Sequence, residues 1–157
     1  MKPVPTISEV QGLLSGWWFD YDQGIFEEWP SYFTEDIHFS CRTDSQSTSF
    51  EEFVTVDLVG RDGVVAWNVA HRSRSPYPLR HNATNIHLRS VGDGAAGFRS
   101  YIFVTHVVAG GVVPLASGIC LGTVRRAGSD LQFSELRLML DFTDSQVFAG
   151  ATRFTFD

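Results

Sequence analysis

The second half of this sequence consists of four long extended segments joined by short, glycine-rich turns. The turns are Gly92-Asp93-Gly94, Gly110-Gly111 and Ala127-Gly128-Ser129-Asp130. Turns this short join antiparallel strands, because parallel strands need a crossover of a dozen or more residues. The pattern therefore predicts an antiparallel meander with strands at Leu79–Val91, Gly97–Ala109, Val112–Arg126 and Leu131–Phe142.

The first half of the sequence has helical periodicity. Thr6 and Glu9 have the spacing of a capping box, which predicts a helix that begins after Thr6. The apolar residues that follow at helical spacing are Ile7, Val10, Leu14, Trp17 and Tyr21. The segments predicted after this helix are a short helix at Ile25–Phe33, a strand at Ile37–Cys41, a polar loop at Arg42–Ser49 and a third helix at Gly60–Ser73.

Helices followed by a strand meander are typical of an α+β fold. We expect a single domain over residues 1–157, in which a curved, mainly antiparallel sheet wraps around three N-terminal helices. Such a cone-shaped barrel is open at one end, and its interior is a natural pocket for a small molecule.

Composition and charge exclude several classes of protein. The net charge is −6 with only 12 basic residues, which disfavours nucleic acid or an anionic membrane as a partner. The apolar runs are too short to span a bilayer, and we expect no secretory signal, because the sequence leads directly into a capped helix. Cys41 and Cys120 are far apart and lack a metal-binding pattern. We therefore expect a soluble cytoplasmic protein with two reduced thiols.

Four residues carry groups that could exchange protons with a substrate. Tyr21 and Asp22 end the first helix, and His81 and His106 lie on the first two strands of the meander. Each alone is more often structural, and Asp22 with the two histidines could also form a three-ligand metal site. Phosphate-binding glycine loops and serine-hydrolase elbows are absent from the sequence. We expect no cofactor and no metal.

Strand alternation indicates which side chains face the pocket. His81, Ala83 and Asn85 share one face of their strand, unless a bulge reverses the pattern. On the next strand His106 ends an apolar row in which an unpaired imidazole would be costly. The predicted substrate-binding residues are Trp18, Phe39, Asn85, Ile102 and Val104. Because both sheet faces are largely apolar, we expect the outer face to pack against a second copy in a dimer or trimer.

The N-terminal segment resembles the opening of a SnoaL-like domain. The resemblance lies in residues 17–29, WWFDYDQGIFEEW, followed by Phe33-Thr34-Glu35-Asp36, and it extends over nearly the whole chain in element order. It implies the cone-shaped α+β barrel of the nuclear transport factor 2-like superfamily.

Within that superfamily, Tyr21-Asp22, His81 and His106 are similar to the site of scytalone dehydratases. The Asp22 and His81 pair also resembles the dyad of hexachlorocyclohexane dehydrochlorinases. This resemblance implies a cofactor-independent lyase or isomerase acting on a small hydrophobic carbonyl or polycyclic substrate. His81, oriented by Asp22, would abstract a proton, and Tyr21 and His106 would bind the substrate oxygen.

The sequence departs from the dehydratase pattern at two places. Ser117-Gly118-Ile119-Cys120 lacks the expected Asn, and His38-Phe39-Ser40 lacks a second Tyr. The identity of the substrate therefore does not transfer.

Two other functions remain open. The small subunits of ring-hydroxylating dioxygenases, which are structural partners of a larger iron-containing chain, have similar segments. These segments are Glu28-Trp29, Phe33-Thr34-Glu35-Asp36, Arg80-His81-Asn82-Ala83-Thr84-Asn85 and Arg137-Leu138-Met139-Leu140-Asp141. A barrel that binds a small molecule without turnover is the third possibility.

Overall fold

A computed structural model of the protein describes residues 2–150, without the side chains of Ser90 and Val91. The helices are α1 (Ile7–Gln23), a 3-10 helix (Phe26–Tyr32), α2 (Glu51–Val54), α3 (Arg61–Ser73) and a short 3-10 turn (Phe148–Gly150). The strands are β1 (Phe33–Thr43), β2 (Val56–Val59), β3 (Leu79–Gly92), β4 (Ala95–Val108), β5 (Gly111–Ala127) and β6 (Asp130–Leu140).

The strands form one six-stranded sheet in the order β2-β1-β6-β5-β4-β3. Only the pairing of β1 with β6 is parallel among the described strands, and the others are antiparallel. The predicted α+β fold with a mainly antiparallel sheet is confirmed. The single-domain prediction over residues 1–157 includes residue 1 and residues 151–157, which lie outside the described residues, and it stays a prediction.

Four elements differ from the sequence-based expectation. The predicted helix at 25–33 is a 3-10 helix, and it contains Pro30, which lacks the N–H that an α-helical hydrogen bond needs. Strand β1 is longer than expected, running from Phe33 to Thr43. The short elements α2 and β2 were not predicted, because four residues carry too little periodicity to be recognised.

Helix α1 begins as its sequence predicts. Thr6 accepts a hydrogen bond from the backbone N–H of Glu9, and the Glu9 carboxylate accepts one from the backbone N–H of Thr6. The face from Val10 to Tyr21 is buried against the sheet, whereas Ile7 in the first turn is half-exposed. The helix ends at Gly24, whose φ of 69° is left-handed. The buried face therefore brings Tyr21 and Asp22 into the interior.

Two glycines on the inner face of β5 lie against the backbone of β6. A Cβ atom added at Gly122 would lie 2.0 Å from the carbonyl oxygen of Glu135 on β6, and one at Gly118 would lie 2.2 Å from that of Met139. Gly118 and Gly122 face the same side as buried Ile102 and Phe98. Glycine at these positions lets the two strands coil around the helices.

The outer face of the sheet exposes aromatic side chains. Tyr101 and Phe103 alternate with the buried residues of β4 and are 58% and 45% exposed. Their neighbours on β5 at the same register are Ile119 and Ser117. This apolar strip is the surface that the sequence predicts to be covered by a second copy.

Arg72, near the end of α3, connects three parts of the fold. Its buried guanidinium donates to the carbonyl oxygens of Tyr21 (2.9 Å), Asp22 (2.6 Å) and Pro76 (3.0 Å). The last carbonyls of a helix have no partner within the helix, and Arg72 satisfies two of them at the end of α1. The same group holds the segment that leads into β3.

Substitution of Gly122 by Ala tests the close approach of β5 and β6. We expect Gly122→Ala to lower the free energy of unfolding by about 1–3 kcal/mol, because the Cβ overlaps backbone that cannot move freely. Gly12 lies on the exposed face of α1, and a Cβ there would meet nothing within 4 Å. Gly12→Ala should therefore raise the free energy of unfolding by about 0.5–1 kcal/mol. Urea unfolding measures both, and equal effects of the two substitutions would contradict this account.

Substitution of Arg72 by Lys tests the three-carbonyl contact. A compact ammonium cannot span the three acceptors that the planar guanidinium reaches, so we expect Arg72→Lys to lower the free energy of unfolding by about 2–4 kcal/mol. Hydrogen exchange should accelerate in the last turn of α1. Arg74→Lys is the matched control, since Arg74 is exposed and donates only within its own helix among the described bonds. An equal loss in both variants would argue against the connecting role of Arg72.

Candidate active site

A cavity of about 240 Å³ lies between α1, α3 and the inner face of the sheet. Its apolar lining comprises Trp18, Phe39, Cys41, Phe50, Phe53, Val54, Trp67, Pro76, Leu79, Ile102, Val104, Leu115, Ala116, Leu138 and Leu140. Its polar lining comprises Tyr21, Asn68, His71, Arg74, Ser75 and His81. Apolar walls with a few convergent polar groups are typical of a small-molecule site.

Asp22 and His81 form a hydrogen-bonded pair at this cavity. One carboxylate oxygen, Oδ1, lies 2.5 Å from Nδ1 of His81, and the other accepts the His81 backbone N–H at 2.7 Å. Both side chains are largely buried, with 5% and 12% of their surface exposed. Because the carboxylate is an acceptor, Nδ1 carries a proton, and Nε2 of the neutral ring has the free lone pair.

Helix α1 also fixes the plane of the His81 ring. Trp18 stacks on it with ring centroids 4.4 Å apart and an interplanar angle of 7°. Tyr21 meets it edge-on at 5.3 Å and 85°. Residues 18, 21 and 22 are three and four positions apart, so one turn of helix supplies all three contacts.

A second imidazole, His71 on α3, lines the same cavity. Its Nδ1 lies 2.7 Å from the hydroxyl of Tyr21. The ring stacks on Trp67 at 4.7 Å and contacts Phe53 at 4.4 Å. Burial, together with the charges of Arg74, His81 and Arg72, lowers the pKa of His71 to about 4, so the ring is neutral near pH 7. Burial also raises the pKa of Tyr21 well above its usual value, and the phenol keeps its proton.

Four of the five predicted substrate-binding residues line the cavity. Trp18 lies on α1, Phe39 on β1, and Ile102 and Val104 on β4. Asn85 does not line it, which corrects the expectation. A register shift between Thr84 and His87, with Asn85 at a φ of 55°, reverses the alternation of β3. Ile86 therefore packs inward, and Asn85 is exposed.

The structure does not bring His106 to the cavity. It is half-buried near the end of β4, paired with Leu79 on β3 and Val113 on β5. A register shift leaves Leu115 as an extra residue on β5 at this point, and Leu79 and Leu115 line the cavity there. This placement corrects the expectation that His106 faces the substrate beside His81.

The same placement bears on the metal-site alternative. A three-ligand site would need His106 beside Asp22 and His81. Within residues 2–150, excepting the two side chains that are not described, no group of three His, Cys, Asp or Glu residues could hold a metal ion. Cys41 and Cys120 are free and buried, and burial raises the pKa of both thiols to about 12.

Two polar residues of α3 were not predicted to belong to the site. His71 lines the cavity, and so does Asn68, which is 2% exposed and donates to the Val64 carbonyl at 2.9 Å. Their signal in the sequence is the buried stripe at Val64, Asn68 and Arg72, spaced by four residues, with His71 beside it. Polar residues on the buried stripe of a helix indicate either a specific partner or a site.

Comparison with known proteins identifies the family. Residues 3–137 match the family model described as the SnoaL-like domain. No curated protein matches the chain significantly. Among the described helices, none is long and apolar enough to cross a membrane.

Solved structures share the fold at low sequence identity. A "Putative Scytalone Dehydratase" from Novosphingobium aromaticivorans is 18% identical, with a TM-score of 0.71 over 94% of this chain and 95% of that one. The β subunit of the benzoate 1,2-dioxygenase from Burkholderia mallei is 16% identical, with a TM-score of 0.68 over 89% and 93%. A nuclear transport factor 2-like protein with a cystatin-like fold, from Novosphingobium aromaticivorans, is 18% identical, with a TM-score of 0.67 over 85% and 80%. With the family model matching most of its length, this chain belongs to the SnoaL-like domain family.

Proposed function

We propose that the protein is a cofactor-independent lyase or isomerase that abstracts a proton next to the carbonyl of a small hydrophobic substrate. The observation that carries the proposal is the pair of Asp22 and His81 at an apolar cavity. An imidazole whose Nδ1 is held by a buried carboxylate is a general base that needs no metal or cofactor.

In the proposed reaction, Nε2 of His81 takes the proton from the carbon next to the carbonyl. The electron pair of the broken C–H bond moves to the carbonyl oxygen and forms an enolate. Asp22 stabilises the imidazolium that forms and keeps the ring in position. Return of the proton at another carbon gives isomerisation, whereas its transfer to a hydroxyl leaving group gives loss of water.

The size of the cavity narrows the substrate class. An apolar cavity of about 150 Å³ accommodates benzene, and this one measures about 240 Å³. The volume favours a substrate of one or two rings over a larger polycyclic compound. Aromatic walls at Trp18, Phe39 and Trp67 suit such rings, since they offer flat apolar surface.

The relatives support two different functions. The similar structure named as a putative dehydratase is consistent with the proposed lyase. The similar dioxygenase β subunit supports the alternative, in which this protein is the structural partner of a larger chain. The observation that favours the enzyme is that Asp22 and His81 are positioned by each other and by Trp18 at the cavity. A subunit that acts only through its surface has no need of an oriented base there.

Deuterium exchange tests the base directly. In deuterated water with cyclohexanone or 1-indanone, we expect the protein to accelerate exchange at the carbon next to the carbonyl. His81→Gln and Asp22→Asn should each slow this exchange by about 10²–10⁴-fold, with the fold intact by circular dichroism. Nuclear magnetic resonance of the ketone measures the rate.

Asp20→Asn is the matched control for Asp22→Asn. It makes the same change two residues earlier on α1, where Asp20 accepts a hydrogen bond from Tyr32 outside the cavity lining. Exchange that persists in both dyad variants would rule out the mechanism. A wild-type protein without exchange that co-purifies with a larger iron-containing chain would support the structural alternative.

We also expect a second copy to cover the outer face of the sheet. Phe103→Glu should convert the oligomer to a monomer in sedimentation velocity, because it places a charge in the exposed aromatic strip. Phe19→Glu is the control, since Phe19 is 62% exposed on α1 instead. A monomeric wild-type protein, or an oligomer that survives Phe103→Glu, would contradict this expectation.

A further inference from the structure

We propose that His71 is a second catalytic residue of this site, whose Nε2–H group, positioned by Tyr21, donates a hydrogen bond to the carbonyl oxygen of the substrate. The proposal rests on the proposed proton abstraction by His81 and adds the group that stabilises the enolate. Tyr21 is then a positioning residue, because it acts through His71.

The hydrogen bond to Tyr21 determines which nitrogen of His71 carries the proton. Tyr21 is 4% exposed, and its hydroxyl is hydrogen-bonded to Nδ1 of His71. Burial keeps the Tyr21 phenol protonated, and Nδ1 of His71, 2.7 Å away, is the acceptor for that proton among the described hydrogen bonds. Tyr21 therefore donates to Nδ1, and the proton of the neutral imidazole is on Nε2.

Nε2 of His71 is buried without a hydrogen-bond partner among the described residues. Buried donors are almost always paired, so one that belongs to a cavity-lining side chain calls for a partner from outside the chain. Within the described lining, Trp18 Nε1 is the other unpaired donor of this kind. The His71 ring differs from that of Trp18 because the hydrogen bond between its Nδ1 and Tyr21 fixes its orientation.

The surroundings of His71 keep it neutral. The groups that face it are Tyr21 from α1, His81 from β3, and Arg72 and Arg74 from the end of α3, together with the rings of Phe53 and Trp67. None of these supplies a negative charge at neutral pH, and the two guanidinium groups oppose protonation. A neutral imidazole at His71 can therefore polarise a carbonyl while His81 takes up the proton.

The two histidines thus have opposite proton arrangements in one cavity. A carboxylate holds Nδ1 of His81 and leaves an acceptor at Nε2, whereas a hydroxyl holds Nδ1 of His71 and leaves a donor at Nε2. One ring can accept the proton, and the other can bind the oxygen where negative charge develops.

Nitrogen-15 resonance spectra of the free protein test the proton arrangement without any substrate. We expect His71 to be in the Nε2–H form, neutral until the pH falls to about 4, and His81 to carry its proton on Nδ1. Tyr21→Phe should abolish the preference of His71 for one form. A His71 protonated on Nδ1 would overturn the proposal, whatever the fate of the His81 mechanism.

The infrared carbonyl band of 1-indanone tests the contact itself. We expect the band to lie at lower frequency in the wild-type protein and in Asp22→Asn than in hexane, and His71→Phe should remove this shift. His71→Gln, which keeps an N–H donor in a similar place, should retain part of it and also controls for folding. A band that is the same in the wild type and in His71→Phe overturns the proposal.

Deuterium exchange then separates this proposal from the proposed function. His71→Phe should slow exchange by about 10²–10³-fold with partial rescue in His71→Gln, as for loss of one donor to an oxyanion. Normal exchange in His71→Phe would overturn the role of His71 and leave the dyad standing. Normal exchange in Asp22→Asn with an intact His71-dependent carbonyl shift would overturn the dyad alone.

Discussion

The cavity and its polar groups depend on how the end of α1 is satisfied. A helix end inside a protein has carbonyl oxygens that need donors. Here the buried guanidinium of Arg72 donates to the carbonyls of Tyr21 and Asp22, and the backbone N–H of Gly24 caps the same turn. The same group donates to Pro76, which lies five residues before His81. Arg72 therefore connects the turn of α1 that carries Asp22 with the segment that leads to His81. Among its described hydrogen bonds, all acceptors are backbone carbonyls and none is a carboxylate.

The hydrogen bonds of Asp22 complete this arrangement at the level of side chains. One carboxylate oxygen accepts the backbone N–H of His81 and the other binds its ring, so the start of β3 and the imidazole are fixed by one residue. Trp18, one turn earlier, stacks on one face of the His81 ring. The rigidity of the proposed base thus comes from helix geometry, since residues four positions apart lie on the same side of α1.

Local sequence patterns predicted the elements that are determined by residues close together in the chain. The capping box of Thr6 and Glu9, the helical spacing up to Tyr21 and the glycine turns of the meander each involve residues close in the chain. The contact between Asp22 and His81 joins residues far apart in sequence, and it was expected only through the resemblance to a family.

The errors lie where strand register changes. Alternation places Asn85 on the same face as His81, but a bulge reverses the faces of β3. The sign of it in the sequence is Asn85 itself, since asparagine adopts a positive φ more readily than most residues. His106 continues the row of Ile102 and Val104 on β4, but it lies beyond the cavity lining, at the level where β5 carries the extra residue Leu115. His71 was missed for another reason. Tyr21 and Phe53, two of its partners, lie on α1 and α2, so the polar stripe of α3 alone does not identify its role.

The replacement of His106 by His71 changes the chemistry available at the site. His71 on α3 packs between Trp67 and Phe53, where it is desolvated and lies near the guanidinium groups of Arg72 and Arg74. It stays neutral, as a donor to a carbonyl oxygen must if it is not to compete with His81 for the abstracted proton. Tyr21 therefore connects the two imidazoles: it packs its edge against His81 and donates its hydroxyl proton to His71. A single turn of α1 thereby orients both the group that would remove a proton and the group that would bind the resulting negative oxygen.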